Sequence, residues 1–146
     1  MKIKIAWIGK SKEPAIQSLT DEYLNRVSRY AEVEGKSVKD EAAIVALWHG
    51  EKGKNRPKLV LLDSRGKQLS SEELARFIET EQANAIPLLF AVGGSDGFSD
   101  EARRRASLVL SLGKMTLPHE LARVVILEQI YRGFTILKNH PYHLGH

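Results

Sequence analysis

Cysteine is missing from all 146 residues of this chain. Its absence excludes structural disulfides, cysteine-bound iron–sulfur clusters and any thiolate nucleophile. A disulfide-stapled secreted domain is excluded with them, so the expected compartment is the cytoplasm. No apolar run approaches the ~20 residues that a membrane-spanning helix needs. The opening Met1-Lys2-Ile3-Lys4-Ile5-Ala6-Trp7-Ile8 is too short and too broken by charge to read as a secretory leader. Internal repeats, low-complexity tracts and linkers are also lacking, so one domain over residues 1–146 is expected. Neither sign of charge dominates: 22 Lys and Arg face 18 Asp and Glu, for a net charge of +4. That mild excess permits RNA as a partner without requiring it. Two phosphate-cradling signatures, G-x-G-x-x-G and the Walker A lysine with its Ser or Thr, do not occur.

Alternating strand and helix patterns fill the chain. Lys2 to Ile8 alternates lysine with apolar residues up to Gly9 and predicts a strand. Pro14 opens a helix whose Ile16, Leu19, Tyr23, Val27 and Tyr30 share one stripe. Ala31 to Val38 predicts a second strand, and Asp40 caps a helix through Trp48. The polar segment from Gly50 to Pro57 predicts a mobile loop. Lys58 to Leu62 is a continuous apolar run of the buried parallel kind, ended by a predicted turn at Asp63-Ser64-Arg65-Gly66. Ser70 and Glu73 form a capping box for a helix through about Glu81. Pro87 to Val92 predicts another buried strand, Ser99 caps a short helix, and Ser107 to Leu112 is strand-like. Pro118 begins a final helix to about Leu137. The fold class expected is α/β, with a mostly parallel sheet and helices on both faces. Ligands of such sheets collect at the carboxyl ends of strands, here Leu62-Asp63, Val92-Gly93-Gly94 and Leu112-Gly113.

Gly93, Gly94 and Gly97 fit either a tight turn or backbone brought close to a flat ligand. Leu112 to Leu117 is too apolar for an ordinary surface turn and is expected to be buried. A buried loop must satisfy its main-chain donors and acceptors, and an adenine edge can do so. On the final helix, Glu128 with Arg132 and His119 with Arg123 are four apart and share faces. A surface ion pair of that kind contributes little. Val124, Val125, Ile126, Leu127 and Ile130 nevertheless imply burial around much of this helix, and a partly buried arginine suits recognition of an anion or a base. His140, His143 and His146 are spaced three apart, but Pro141 breaks the register and no acidic or thiol ligand supports a metal, so none is expected. Tyr142-His143 offers an aromatic face and a titratable ring. Arg103-Arg104-Arg105 reads as a solvated helix face able to follow phosphates.

Four blocks in order, Gly93-Gly94-x-x-Gly97-Phe98, Leu112-x-x-Met115-Thr116-Leu117-Pro118-His119, Glu128-Gln129-x-Tyr131-Arg132 and Pro141-Tyr142-His143, resemble members of the SPOUT superfamily that methylate large-subunit ribosomal RNA. The resemblance extends over nearly the whole chain. It implies a parallel α/β fold with a deep C-terminal trefoil knot, a homodimer, and S-adenosylmethionine as cofactor. The implied reaction methylates N3 of a pseudouridine in helix 69 of 23S rRNA, on the assembled ribosome. It further implies cofactor contacts at Leu62, Gly93, Leu112, Gly113, Lys114, Met115, Thr116 and Leu117, and places Arg132, Tyr142 and His143 at the substrate. The chain departs from the family at Leu144-Gly145-His146, where a basic residue usually follows the Tyr-His pair.

Methyl transfer of this kind is an in-line displacement that depends mostly on positioning. His143 is the candidate acceptor for the N3 proton and Arg132 for stabilising the imide anion. Two other readings compete: a flavodoxin-like nucleotide-binding protein, and a non-catalytic ribosome-associated binding module.

Overall fold

A computed structural model describes residues 1–50 and 53–144. Five strands, β1 (Lys2–Ile8), β2 (Glu32–Val38), β3 (Lys58–Gln68), β4 (Leu88–Val92) and β5 (Leu108–Ser111), form one sheet in the order β2-β1-β4-β3-β5. Every pairing is parallel. Five helices connect or follow them: α1 (Pro14–Val27), α2 (Glu41–His49), α3 (Ser71–Ala83), α4 (Asp100–Arg105) and α5 (His119–Leu137). A 3-10 turn at Pro141–His143 closes the described chain. Among the described residues no helix is long and apolar enough to cross a membrane.

Alternation along the strands builds two cores. Ile3, Ile5, Val60, Leu62, Leu88 and Phe90 face Val27, Ile78, Ile126, Ile130 and Phe134 of α1, α3 and α5. Ala6, Leu59, Leu61, Leu89 and Ala91 face Ile44 and Ala102 of α2 and α4. Helices on both faces explain why β3 and β4 read as unbroken apolar runs. The edge strand β2 carries charge instead, and its Gly35 is required by packing: a Cβ there would lie 2.9 Å from Leu24 and 3.0 Å from Trp7.

The predicted caps hold. Asp40 accepts from the Ala43 amide at 3.0 Å, Ser70 and Glu73 complete the capping box, and Ser99 accepts from Ala102 at 3.2 Å. Two expectations are corrected. Leu19 is 42% exposed, and the buried member of that turn is Thr20, whose hydroxyl donates to the Ile16 carbonyl. Asp63 to Gly66 is not the end of β3 but an outward bulge within it: Leu62 and Lys67 both pair with Leu110. Gly66 permits that return, since a Cβ would lie 2.5 Å from the Val109 carbonyl oxygen. Of the predicted mobile loop, Glu51 and Lys52 lie outside the described residues, as do Gly145 and His146.

Candidate active site

The carboxyl ends of β3, β4 and β5 open onto a cleft of about 650 Å³. That volume suits a small-molecule ligand. Its walls include Leu62, Asp63, Gly93, Gly113, Thr116 and Leu117. The β3 bulge supplies one rim, the glycine loop after β4 another, and residues 112–118 the third. Gly113 has φ of +135° and open space where a side chain would stand, so glycine both permits the turn and keeps the cleft clear. Ser111 secures that turn. Its hydroxyl accepts from the Gly113 amide at 3.1 Å and donates to the Gly113 carbonyl at 2.8 Å.

The loop after β5 is not buried as expected. Residues 114–118 are exposed, Met115 at 85%. They form the rim of an open cleft, and none of the described residues lies over them. Among the described residues, the main chain of 114–117 makes no hydrogen bond to another residue. Its donors and acceptors are available to a ligand edge.

Two clamps fix the cleft walls. Arg103 Nη1 donates to Asp63 at 3.2 Å and to the Phe98 carbonyl at 3.2 Å, tying the β3 bulge to the glycine loop. Burial alone would raise the Asp63 carboxyl, but hydrogen bonds from Arg65 and Arg103 outweigh it and hold the group below its ordinary value. At the start of α5, Glu120 accepts from Ser11 at 3.2 Å and from the Lys12 amide at 3.0 Å. Arg123 does not pair with His119. It is buried, stacks 4.3 Å over Trp7 and donates to Ser11 at 2.6 Å. Burial pushes its guanidinium below the ordinary value, against the attraction of Glu120 and Asp21.

A second polar cluster lies further along α5. Arg132 donates to Glu128 at 2.9 Å, and Tyr142 donates to the same carboxylate at 2.9 Å. The guanidinium lies 4.9 Å from the Tyr142 ring centre. Arg132 Nη1 is 3.0 Å from His143 Nδ1, and His143 Nε2 is 2.7 Å from Glu72. Burial first, and then the Glu128 carboxylate, pushes the Tyr142 phenol well above its ordinary value.

Comparison with known proteins shows the family of this chain. A family model described as "Predicted SPOUT methyltransferase" matches residues 1–143. The chain belongs to the SPOUT methyltransferase family. It is 55% identical to a ribosomal RNA large subunit methyltransferase H from Koribacter versatilis, covering 100% of both chains. It is 45% identical to the protein of that name from Geobacter sulfurreducens, over 98% of this chain and 99% of the other. Among solved structures it resembles a probable methylase family protein from Haemophilus influenzae, with TM-score 0.57, 14% identity, and coverage of 97% of this chain and 68% of the other. It also resembles the SpoU methyltransferase AviRb from Streptomyces viridochromogenes, solved with AdoMet, with TM-score 0.51 and 13% identity. That match covers 90% of this chain and 57% of the other. Both structural likenesses bear on the fold alone.

Within this SPOUT chain, Leu62, Gly93, Leu112, Gly113, Met115, Thr116 and Leu117 come together at the cleft. Lys114 is exposed beside it and is not among the lining residues. Arg132, Tyr142 and His143 also come together, but away from the cleft. Ala122 is the last α5 residue at the cleft, and Arg132 stands ten positions further on, ~15 Å along a helix. The arginine run is not a uniform phosphate stripe. Arg103 is spent on Asp63, Arg105 donates to Glu101 at 2.7 Å, and Arg104 is exposed. Sequence reasoning did not pick out Glu72 or Arg103 as partners. Glu72 meets His143 from 71 residues away and Arg103 meets Asp63 from 40, and no local pattern encodes either contact.

Proposed function

We propose that this SPOUT methyltransferase transfers a methyl group from S-adenosylmethionine to N3 of a pseudouridine in helix 69 of 23S rRNA, on the assembled ribosome in the cytoplasm. The carrying observation is the cleft at three strand ends, with one wall of unpaired main chain. Its residues fit the cofactor. Leu62, Leu112 and Leu117 offer apolar surface for the adenine faces, the main chain of 114–117 offers partners for its edge, and Asp63 faces the cleft with negative charge. When bound, the cofactor supplies an electrophilic methyl group on a sulfonium.

The chain's own residues have three tasks. The clamped walls would hold the cofactor in one fixed orientation toward the substrate. Arg132 stabilises the imide anion as N3 gives up its proton, and His143 accepts that proton. Because this cluster lies ~15 Å along α5 from Ala122, the last helix residue at the cleft, the two meet across a homodimer, the cluster of one protomer facing the cleft of its partner. Exposed Met115, Leu117 and Leu121, 85%, 37% and 44% accessible, support burial of this rim against a second copy. Family membership and the return of α5 between α1 and α3 support a trefoil knot in the C-terminal part. Arg104 and Arg56, the latter 4.4 Å over Trp48, are suited to salt-sensitive docking on ribosomal RNA.

The test is transfer of labelled methyl groups to ribosomes from a strain lacking this protein, followed by mass mapping of the RNA. One methyl on N3 of a helix 69 pseudouridine is expected, with far less transfer to the naked hairpin. Ribosomes that stay unlabelled while the cofactor binds would refute the proposal.

A further inference from the structure

His143 stands between two partners, each limited to one role. Its Nε2 is 2.7 Å from Glu72 Oε1, and its Nδ1 is 3.0 Å from Arg132 Nη1. An ionised carboxylate only accepts hydrogen bonds, and a guanidinium only donates them. Glu72 is kept ionised: the hydrogen bond from His143 is the largest influence holding its carboxyl below the ordinary value. One neutral tautomer satisfies both contacts, with the proton on Nε2 and the lone pair on Nδ1. The other would set N–H against N–H at Arg132 and lone pair against lone pair at Glu72.

The mount of this ring is well determined. His143 ends the 3-10 turn, whose first amide, that of Tyr142, donates to His140 Nδ1 at 3.1 Å. The charged or titratable groups around the cluster are Glu72 from α3, Glu128, Tyr131 and Arg132 from α5, Tyr23 and Arg26 from α1, and Tyr142 and His140 from the tail itself. Glu72 is the acceptor that meets Nε2. It lies in the first turn of α3, where Ser70 and Glu73 already cap the helix. The contact to His143 is therefore additional to what α3 needs for its own start.

We infer that Glu72 is a positioning residue for the proposed methyl transfer: it locks His143 in the Nε2–H tautomer, so that Nδ1, uncovered as Arg132 turns to the substrate, takes the N3 proton. This rests on the assignment of His143 as base in the proposed function. In balance, the N3–C bond forms as the donor's S–C bond breaks, and the N3–H bond breaks as the Nδ1–H bond forms. The positive charge lost at sulfur reappears on the imidazolium, whose Nε2–H faces the Glu72 carboxylate.

The experiment uses the full-length protein with 15N-labelled histidine. Long-range proton–nitrogen correlation distinguishes the two tautomers, and His143 is assigned from the cross-peaks lost in His143→Gln. Wild type is expected to show His143 wholly as Nε2–H. Glu72→Ala leaves Arg132 alone to disfavour the Nδ1–H form, so a minor Nδ1–H population should appear and the single-turnover rate should fall by about tenfold, less than the ~10²–10⁴ expected for losing a base outright. Its affinity for S-adenosylhomocysteine should be unchanged, which separates positioning from damage to the cleft. Glu72→Gln, whose amide oxygen still accepts, should restore both the spectrum and the rate. A proton on Nδ1 in wild type, or a Glu72→Ala protein with unchanged tautomer and rate, overturns the inference. A wild-type rate in His143→Gln overturns the base assignment and with it the catalytic half of the inference, while the spectrum still decides the tautomer separately.

Discussion

Replacing Arg103 by methionine tests how the cleft is held open. Arg103 is 21% exposed and Asp63 7%, so their contact is largely withdrawn from water. The substitution removes the Nη1 bonds to Asp63 and to the Phe98 carbonyl. A hydrogen bond to a charged group contributes ~1.5–3 kcal/mol. Asp63 keeps Arg65, but that side chain is 67% exposed and worth less than ~1 kcal/mol. Water entering from the cleft rehydrates part of the orphaned carboxylate, so the net loss should be ~2 kcal/mol of stability. For a chain of this length that corresponds to ~4–8 °C in Tm. The β3 bulge and the glycine loop then lose their tie, and affinity for S-adenosylhomocysteine should fall about tenfold, or ~1.4 kcal/mol. Urea unfolding and calorimetry on Arg103→Met, Asp63→Asn and the double variant give the coupling, expected at ~1–2 kcal/mol. Additive effects with unchanged affinity would refute the clamp.

Gly113→Val places a branched side chain at φ of +135° and into the open cleft. Calorimetry should find cofactor affinity lower by at least about tenfold, with a strain cost of ~1–3 kcal/mol that leaves the protein folded at room temperature. Asp63 has a folded value below its unfolded one, near ~3.9, so its contribution is complete above that pH and is lost as pH falls through the depressed value. Urea midpoints measured from pH 6 to pH 2 should decline in wild type and decline less steeply in Asp63→Asn. Leu121→Glu puts a charge on the apolar rim of α5, where the side chain is 44% exposed. Sedimentation should find monomer, and methyl transfer should be lost although the monomer remains folded.

Local chemistry was enough to read the strands, the caps and the strand-end cleft. Val60 and Leu62 face one core and Leu59 and Leu61 the other, and only a doubly covered strand needs that run. Asp40, Ser70 and Ser99 announced their helices because a cap is satisfied within three residues. The β3 bulge was illegible. Asp63-Ser64-Arg65-Gly66 has turn chemistry, while the pairing of Lys67 and Gln68 with β5 depends on residues over forty positions away. Apolarity at Met115 and Leu117 was read as burial, but exposure depends on what covers the loop, and the described residues do not supply that cover. The placement of Arg132, Tyr142 and His143 relative to the cleft is likewise set by tertiary packing, since each residue's local pattern is silent about distance to Gly93 or Gly113.

The most direct measurement of the central claim is amide shift mapping of the full-length protein titrated with S-adenosylhomocysteine. Saturable shifts should centre on Gly93, Gly97, Gly113 and residues 114–117, with the α2 amides unmoved. Saturation that leaves those loops unperturbed, or no binding even in the presence of ribosomes, would contradict the assignment of this cleft as the methyl-donor site.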